Sequence, residues 1–67
     1  MSLIPTNKQR AARCRKALRR YGTDDDPTTC LVDFLADARH WCDHSGEDYA
    51  ELDRRAYQHY LAEIHNL

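Results

Sequence analysis

The sequence predicts an all-α fold, a small three-helix bundle, and three observations carry that prediction. Apolar residues recur at three- and four-residue steps in three successive stretches. Each stretch follows a residue suited to cap a helix: Thr6, Asp26 and Asp48. Gly22 and Gly46 fall where the first two stretches lose their periodicity. No segment alternates with the period of a strand. The 67 residues are therefore read as a single helical domain, 1–67, with helices at about 7–21, 27–45 and 49–65.

The first helix starts after Pro5, where Thr6 and Gln9 have the spacing of a capping box. It runs to Tyr21, and Gly22 is expected to close it in the left-handed conformation. Its apolar line is Ala11, Cys14, Ala17, Leu18 and Tyr21, modest in size. In the second helix Asp26 is the N-cap, and Pro27 occupies the first position, where no amide hydrogen is required. Asp24 and Asp25 add negative charge beside the positive helix end. Cys30, Leu31, Phe34, Leu35, Ala38, Trp41 and Cys42 share one face, and Asp33, Asp37, His40 and His44 the other. The third helix begins at Asp48, with Glu51 as the second member of a capping pair, and its stripe is Leu52, Ala56, Tyr57, Tyr60, Leu61 and Ile64. These stripes place Trp41 and the tyrosines in a thin core, to which Leu3 and Leu67 also belong, and put all three cysteines on buried lines.

Charge is the second theme. A formal net charge of −1 conceals about +7 on residues 1–22 and about −8 on residues 23–67. Lys8, Arg10, Arg13, Arg15, Lys16, Arg19 and Arg20 all lie on the first helix, and no acid accompanies them. Like-charged neighbours on adjacent turns cost an isolated helix of this sequence about 1–2.5 kcal/mol. Acids of the other helices, acids of a second subunit, or an external anion would offset that cost. For an external anion the candidate contacts are Arg10, Arg13, Lys16 and Arg20, since arginine suits bidentate phosphate binding. Contact with about four phosphates predicts a log–log salt slope near −3.6 on duplex DNA.

Other chemistries are poorly served. A helix-turn-helix built from the last two helices would present Glu47, Asp48 and Glu51 to DNA, and carboxylates repel phosphates. His40 and His44 are four apart and could share a metal ion, but Cys42 points to the opposite side, so no metal site is expected. Cys14, between Arg13 and Arg15, comes nearest to a reactive thiol. Asp53, at the edge of the third stripe, is expected to pair with Arg39 or a tyrosine hydroxyl. No nucleophile–base pair and no phosphate-cradling glycine loop is present, so neither enzymatic activity, a cofactor nor a small-molecule substrate is expected. No apolar run reaches membrane-spanning length, and three cysteines without paired spacing suit a reducing cytoplasm. Self-association as a dimer is expected, because a chain this short builds little core.

Residues 31–63 also carry Leu31, Asp33, Leu35, Asp37, His40, Trp41 and Asp43, then Gly46, Asp48 and Tyr49, then Asp53, Arg54, Ala56, His59 and Tyr60. In this pattern the segment resembles a group of short uncharacterised bacterial proteins of phage, plasmid and other mobile-element origin. The resemblance covers about half of the chain. It implies a bacterial cytoplasmic protein and no particular activity. Glu47 departs from the pattern, which has an apolar residue there to pack on Leu52. The functional expectation is a small accessory protein that binds a protein partner or itself. The alternative is a sequence-independent nucleic-acid binder that uses the first helix.

Overall fold

The computed structural model describes residues 4–22 and 26–65 of the chain, and within them the fold is all-α, with no strand. The helices are α1 (Asn7–Tyr21), α2 (Pro27–Ser45) and α3 (Tyr49–His65). The expectations for Leu3, Asp24, Asp25 and Leu67 lie outside the described residues.

Helix ends follow from local hydrogen bonding. At the start of α1, Thr6 Oγ1 accepts from the Gln9 amide at 3.1 Å, while Gln9 Oε1 accepts from the Thr6 amide at 2.8 Å. Two donors that the helix leaves orphaned are thus satisfied reciprocally. At the start of α2, Asp26 Oδ1 accepts from the Thr29 amide at 2.9 Å and Oδ2 from the Thr29 hydroxyl at 3.1 Å. The Thr29 amide, and after it the Thr29 hydroxyl, hold the Asp26 carboxyl below its ordinary value. At its other end α2 closes on Gly46, whose φ of 73° is costly for any residue with a Cβ. The Glu47 amide then reaches back to the Cys42 carbonyl at 2.9 Å, as in a Schellman turn.

Two ends differ from expectation. Gly22 is extended, with φ −152° and ψ 123°, and is not left-handed. Its amide still donates to the Leu18 carbonyl at 3.3 Å, and its own carbonyl accepts from the Cys30 thiol at 3.3 Å. That exit direction removes the need for a positive φ. At the start of α3, Asp48 Oδ1 accepts from the Glu51 amide at 3.3 Å. The Glu51 carboxylate, however, grips Arg54, with Nη2 at 2.7 Å and Nε at 2.9 Å, so the expected reciprocal cap is replaced by an ion pair one turn on.

The chain divides into two compact units, Met1–Leu35 and Ala36–Leu67, with the division inside α2. In the first, Leu18 and Cys30 are buried, Cys30 to 2% exposure. The Tyr21 ring meets Phe34 edge-on at 5.5 Å between centroids, and the Tyr21 hydroxyl donates to the Asp33 carbonyl at 3.2 Å. In the second, Cys42 is buried to 3% exposure, and Ala38, Tyr49, Leu52, Leu61 and Ile64 are half-buried. The Arg39 guanidinium lies 4.3 Å from the centre of the Tyr49 ring, and Tyr57 stacks on Tyr60 at 6.3 Å. A cysteine is thus the most deeply buried of the described residues in each unit.

The expected core is corrected accordingly. Trp41 is 60% exposed, and Phe34, Leu31, Leu35, Tyr57 and Tyr60 are exposed as well. Adjacent helical residues lie about 100° apart, so turning Cys42 inward carries Trp41 to the flank. Cys14 is exposed, not buried, because the buried point of α1 is Leu18, one turn later. Asp53 is exposed and Arg39 stacks on Tyr49, in place of the pairing expected for them.

Candidate functional site

The cations of α1 form the more sharply defined of two candidate surfaces. Arg13, Lys16 and Arg20 are exposed and, with Ala17, line a shallow open concavity of about 370 Å³. Their spacing of three and four residues brings three positive side chains round one alanine, whose short side chain leaves the depression. Arg10, the fourth residue expected at this surface, is half-buried, and its Nη1 donates to Asn7 Oδ1 at 2.8 Å. Lys8, Arg15 and Arg19 are exposed on another flank. Among the described residues, no ion pair engages Lys8, Arg13, Arg15, Lys16, Arg19 or Arg20. Among the described residues, six cations on one helix therefore carry their mutual repulsion without an acid paired to them.

The second candidate surface is apolar and lies in the second unit, at Trp41, Tyr57 and Tyr60. Among the described residues these three, and Ile4, Tyr21, Leu31, Val32, Phe34 and Leu35 of the first unit, are large and exposed, whereas the buried apolar residues are Leu18, Cys30 and Cys42. Single exposed apolar side chains are ordinary on a protein surface, but an inventory in which exposed ones outnumber buried ones is not. Within the second unit, Trp41 and the Tyr57–Tyr60 stack supply wide, rigid rings that lose little conformational freedom on contact. A further shallow concavity of about 370 Å³ is lined by Leu52, Arg55, Ala56 and His59.

His40 and His44 are exposed while Cys42 is buried. Among the described residues, no three His, Cys, Asp or Glu side chains converge as a metal site would require. All three cysteines are free. The Glu51 carboxyl is held below its ordinary value first by its hydrogen bonds from Arg54, and Arg54 is raised in turn by the same contact. This charged pair is structural in character, exposed and confined to one helix. No helix among the described residues is long and apolar enough to cross a membrane.

Sequence reasoning missed the stacking of Arg39 on Tyr49 and the contact of Tyr21 with Phe34. Both pairs are ten or more residues apart and join different helices, so helical periodicity carried no signal for them. Comparison of the chain with protein-family models, curated proteins and solved structures returned no match.

Proposed function

We propose that the chain is a small interaction module that binds a protein partner, in the first instance a second copy of itself, through the exposed rings of the second unit, Trp41 of α2 and Tyr57 and Tyr60 of α3. The observation that carries this reading is the exposure of Trp41, Tyr57 and Tyr60, side chains that each bury a large area when covered. Charge supports a second copy as the partner. Residues 23–67 carry the acids that the first helix lacks, so a copy can offer an anionic surface to a cationic one. The resemblance of residues 31–63 to small bacterial mobile-element proteins supports an accessory role in a bacterial cytoplasm. Light scattering over a concentration series tests the reading. Mass should rise toward the dimer, and a Trp41→Ser, Tyr60→Ser variant should stay monomeric. A monomer at high micromolar concentration would leave a different protein as the only partner for this surface, and capture experiments with the same variant would then decide.

A second reading, sequence-independent nucleic-acid binding by α1, is favoured by a separate observation: the six exposed cations that no described acid pairs with. Charge-assisted contacts to phosphate would relieve their repulsion, and binding of that kind weakens steeply with salt.

A further inference from the structure

We infer that α1 enters the major groove of duplex DNA, with one row of cations against each of the two phosphate strands that edge it. The inference rests on the nucleic-acid reading above and gives it a ligand and a geometry. At about 100° per residue, Lys8, Arg15 and Arg19 fall in one row along the helix and Arg13, Lys16 and Arg20 in another, about 110° round the axis. All six side chains are exposed. Ala12, also exposed, lies between the rows. The buried Leu18 and the packed Tyr21 lie on the opposite side, so the face with both rows is turned away from the helix contacts.

This arrangement fits one ligand better than its rivals. The major groove of B-form DNA is about 12 Å wide and takes a helix of about 10–12 Å diameter. Rows on two flanks meet two phosphate edges, and a small residue between them permits close approach to the floor. The 12-residue step from Lys8 to Arg20 covers about 18 Å of helix axis, enough to follow several phosphates on each strand. A-form RNA has a major groove too narrow for a helix. A lipid surface calls for a free apolar face, and α1 has committed Leu18 and Tyr21 to its own fold. The two amide side chains suited to reading adenine are engaged within the helix: Gln9 Oε1 accepts from the Thr6 amide, and Asn7 Oδ1 from Arg10. Recognition is therefore of backbone and groove shape, not of sequence.

The test titrates the whole chain against a short mixed-sequence duplex DNA, the RNA duplex of the same sequence and vesicles containing an anionic phospholipid, across salt. Six phosphate contacts predict a log–log salt slope near −5.4 on DNA. Neutralising either row, as Lys8→Gln, Arg15→Gln, Arg19→Gln or as Arg13→Gln, Lys16→Gln, Arg20→Gln, should bring the slope to about −2.7. Single Arg15→Gln and Lys16→Gln variants, which perturb the fold least, should each lower its magnitude by about 0.9. Methylation of guanine N7, which opens on the major groove, should fall several-fold in the complex, and the RNA duplex should bind at least about tenfold more weakly. A slope that responds only to the Arg13, Lys16, Arg20 row, with N7 still reactive, would overturn the groove geometry and leave the nucleic-acid reading standing. Equal affinity for both duplexes would overturn the geometry as well. No DNA binding even at low salt, or binding to vesicles in its place, would remove both.

Discussion

The two units of this chain solve the same problem with different chemistry. Each brings part of α2 together with one other helix, and each buries a cysteine, Cys30 in the first and Cys42 in the second. The first unit leaves the α1 cations unpaired by any described acid, apart from the engaged Arg10. The second unit engages two of its three arginines locally: Arg54 pairs with Glu51 and Arg39 stacks on Tyr49. Among the described residues, its large exposed apolar side chains are all aromatic, Trp41, Tyr57 and Tyr60, whereas those of the first unit include the aliphatic Ile4, Leu31, Val32 and Leu35. The difference teaches where to look for partners. The first unit offers cations that no described acid pairs with, and their attraction for anions acts over distance and is weakened by salt. The second offers uncovered rings, which attract through apolar contact and tolerate salt.

The sharpest way to break this comparison is kinetic. Cys14 is exposed and Cys30 and Cys42 are buried, so a thiol reagent should modify one thiol at once. The other two should react orders of magnitude more slowly, at rates set by local opening of each unit. Three equally fast thiols would mean that neither cysteine is held as described. Next in size is Leu18→Ala, which removes the large apolar side chain buried in the first unit. It should cost about 2–5 kcal/mol by denaturant unfolding, enough to unfold much of the population. A loss near zero would show that α1 is held by something other than Leu18.

Neutralising Arg13, Lys16 and Arg20 together should act in the opposite direction. At low salt the variant should be more stable by about 1 kcal/mol, because like-charge pairs on adjacent turns disappear, and the gain should fade as salt is added. A loss of stability would reveal that these cations already have partners. Asp26→Ala should lower the melting midpoint by a few degrees through loss of the cap. The pH dependence of wild type carries the same sign. The folded carboxyl of Asp26 lies below its ordinary value of 3.8, so its stabilisation is complete above that value and is lost as pH falls through the folded one. Melting of Asp26→Ala should therefore be less acid-sensitive than that of wild type. The smallest effect belongs to Trp41→Ala. For a residue this exposed, the cost to the isolated chain should be within about 0.5 kcal/mol.

The helix ends were largely legible in the sequence because capping is local. Thr6 with Gln9, and Asp26 ahead of Pro27, act over three residues and need no tertiary information. What periodicity could not supply was which part of each stripe is covered. Round the axis of α2, Cys30 and Cys42 lie about 120° apart with Phe34 and Trp41 between them in angle, so the periodicity of the stripe did not mark the two cysteines as its buried points. At the cation surface, sequence spacing puts Arg13, Lys16 and Arg20 side by side, since one helix holds all three. Arg10 is half-buried and engaged by the Asn7 side chain, a contact that leaves no mark on a charge pattern.

The central claim, that Trp41 belongs to a surface made to be covered, is tested most directly by its own fluorescence. Trp41 is the sole tryptophan of the chain, so emission reports this position alone. In a dilution series at physiological salt, the emission maximum should be that of a solvent-exposed indole at low nanomolar concentration. It should shift to the blue as concentration rises into the range where the dimer forms. An emission maximum that stays blue-shifted at every concentration down to the lowest measurable would contradict the account by placing Trp41 inside the monomer. One that stays at the exposed value up to high micromolar concentration would contradict self-association through this surface.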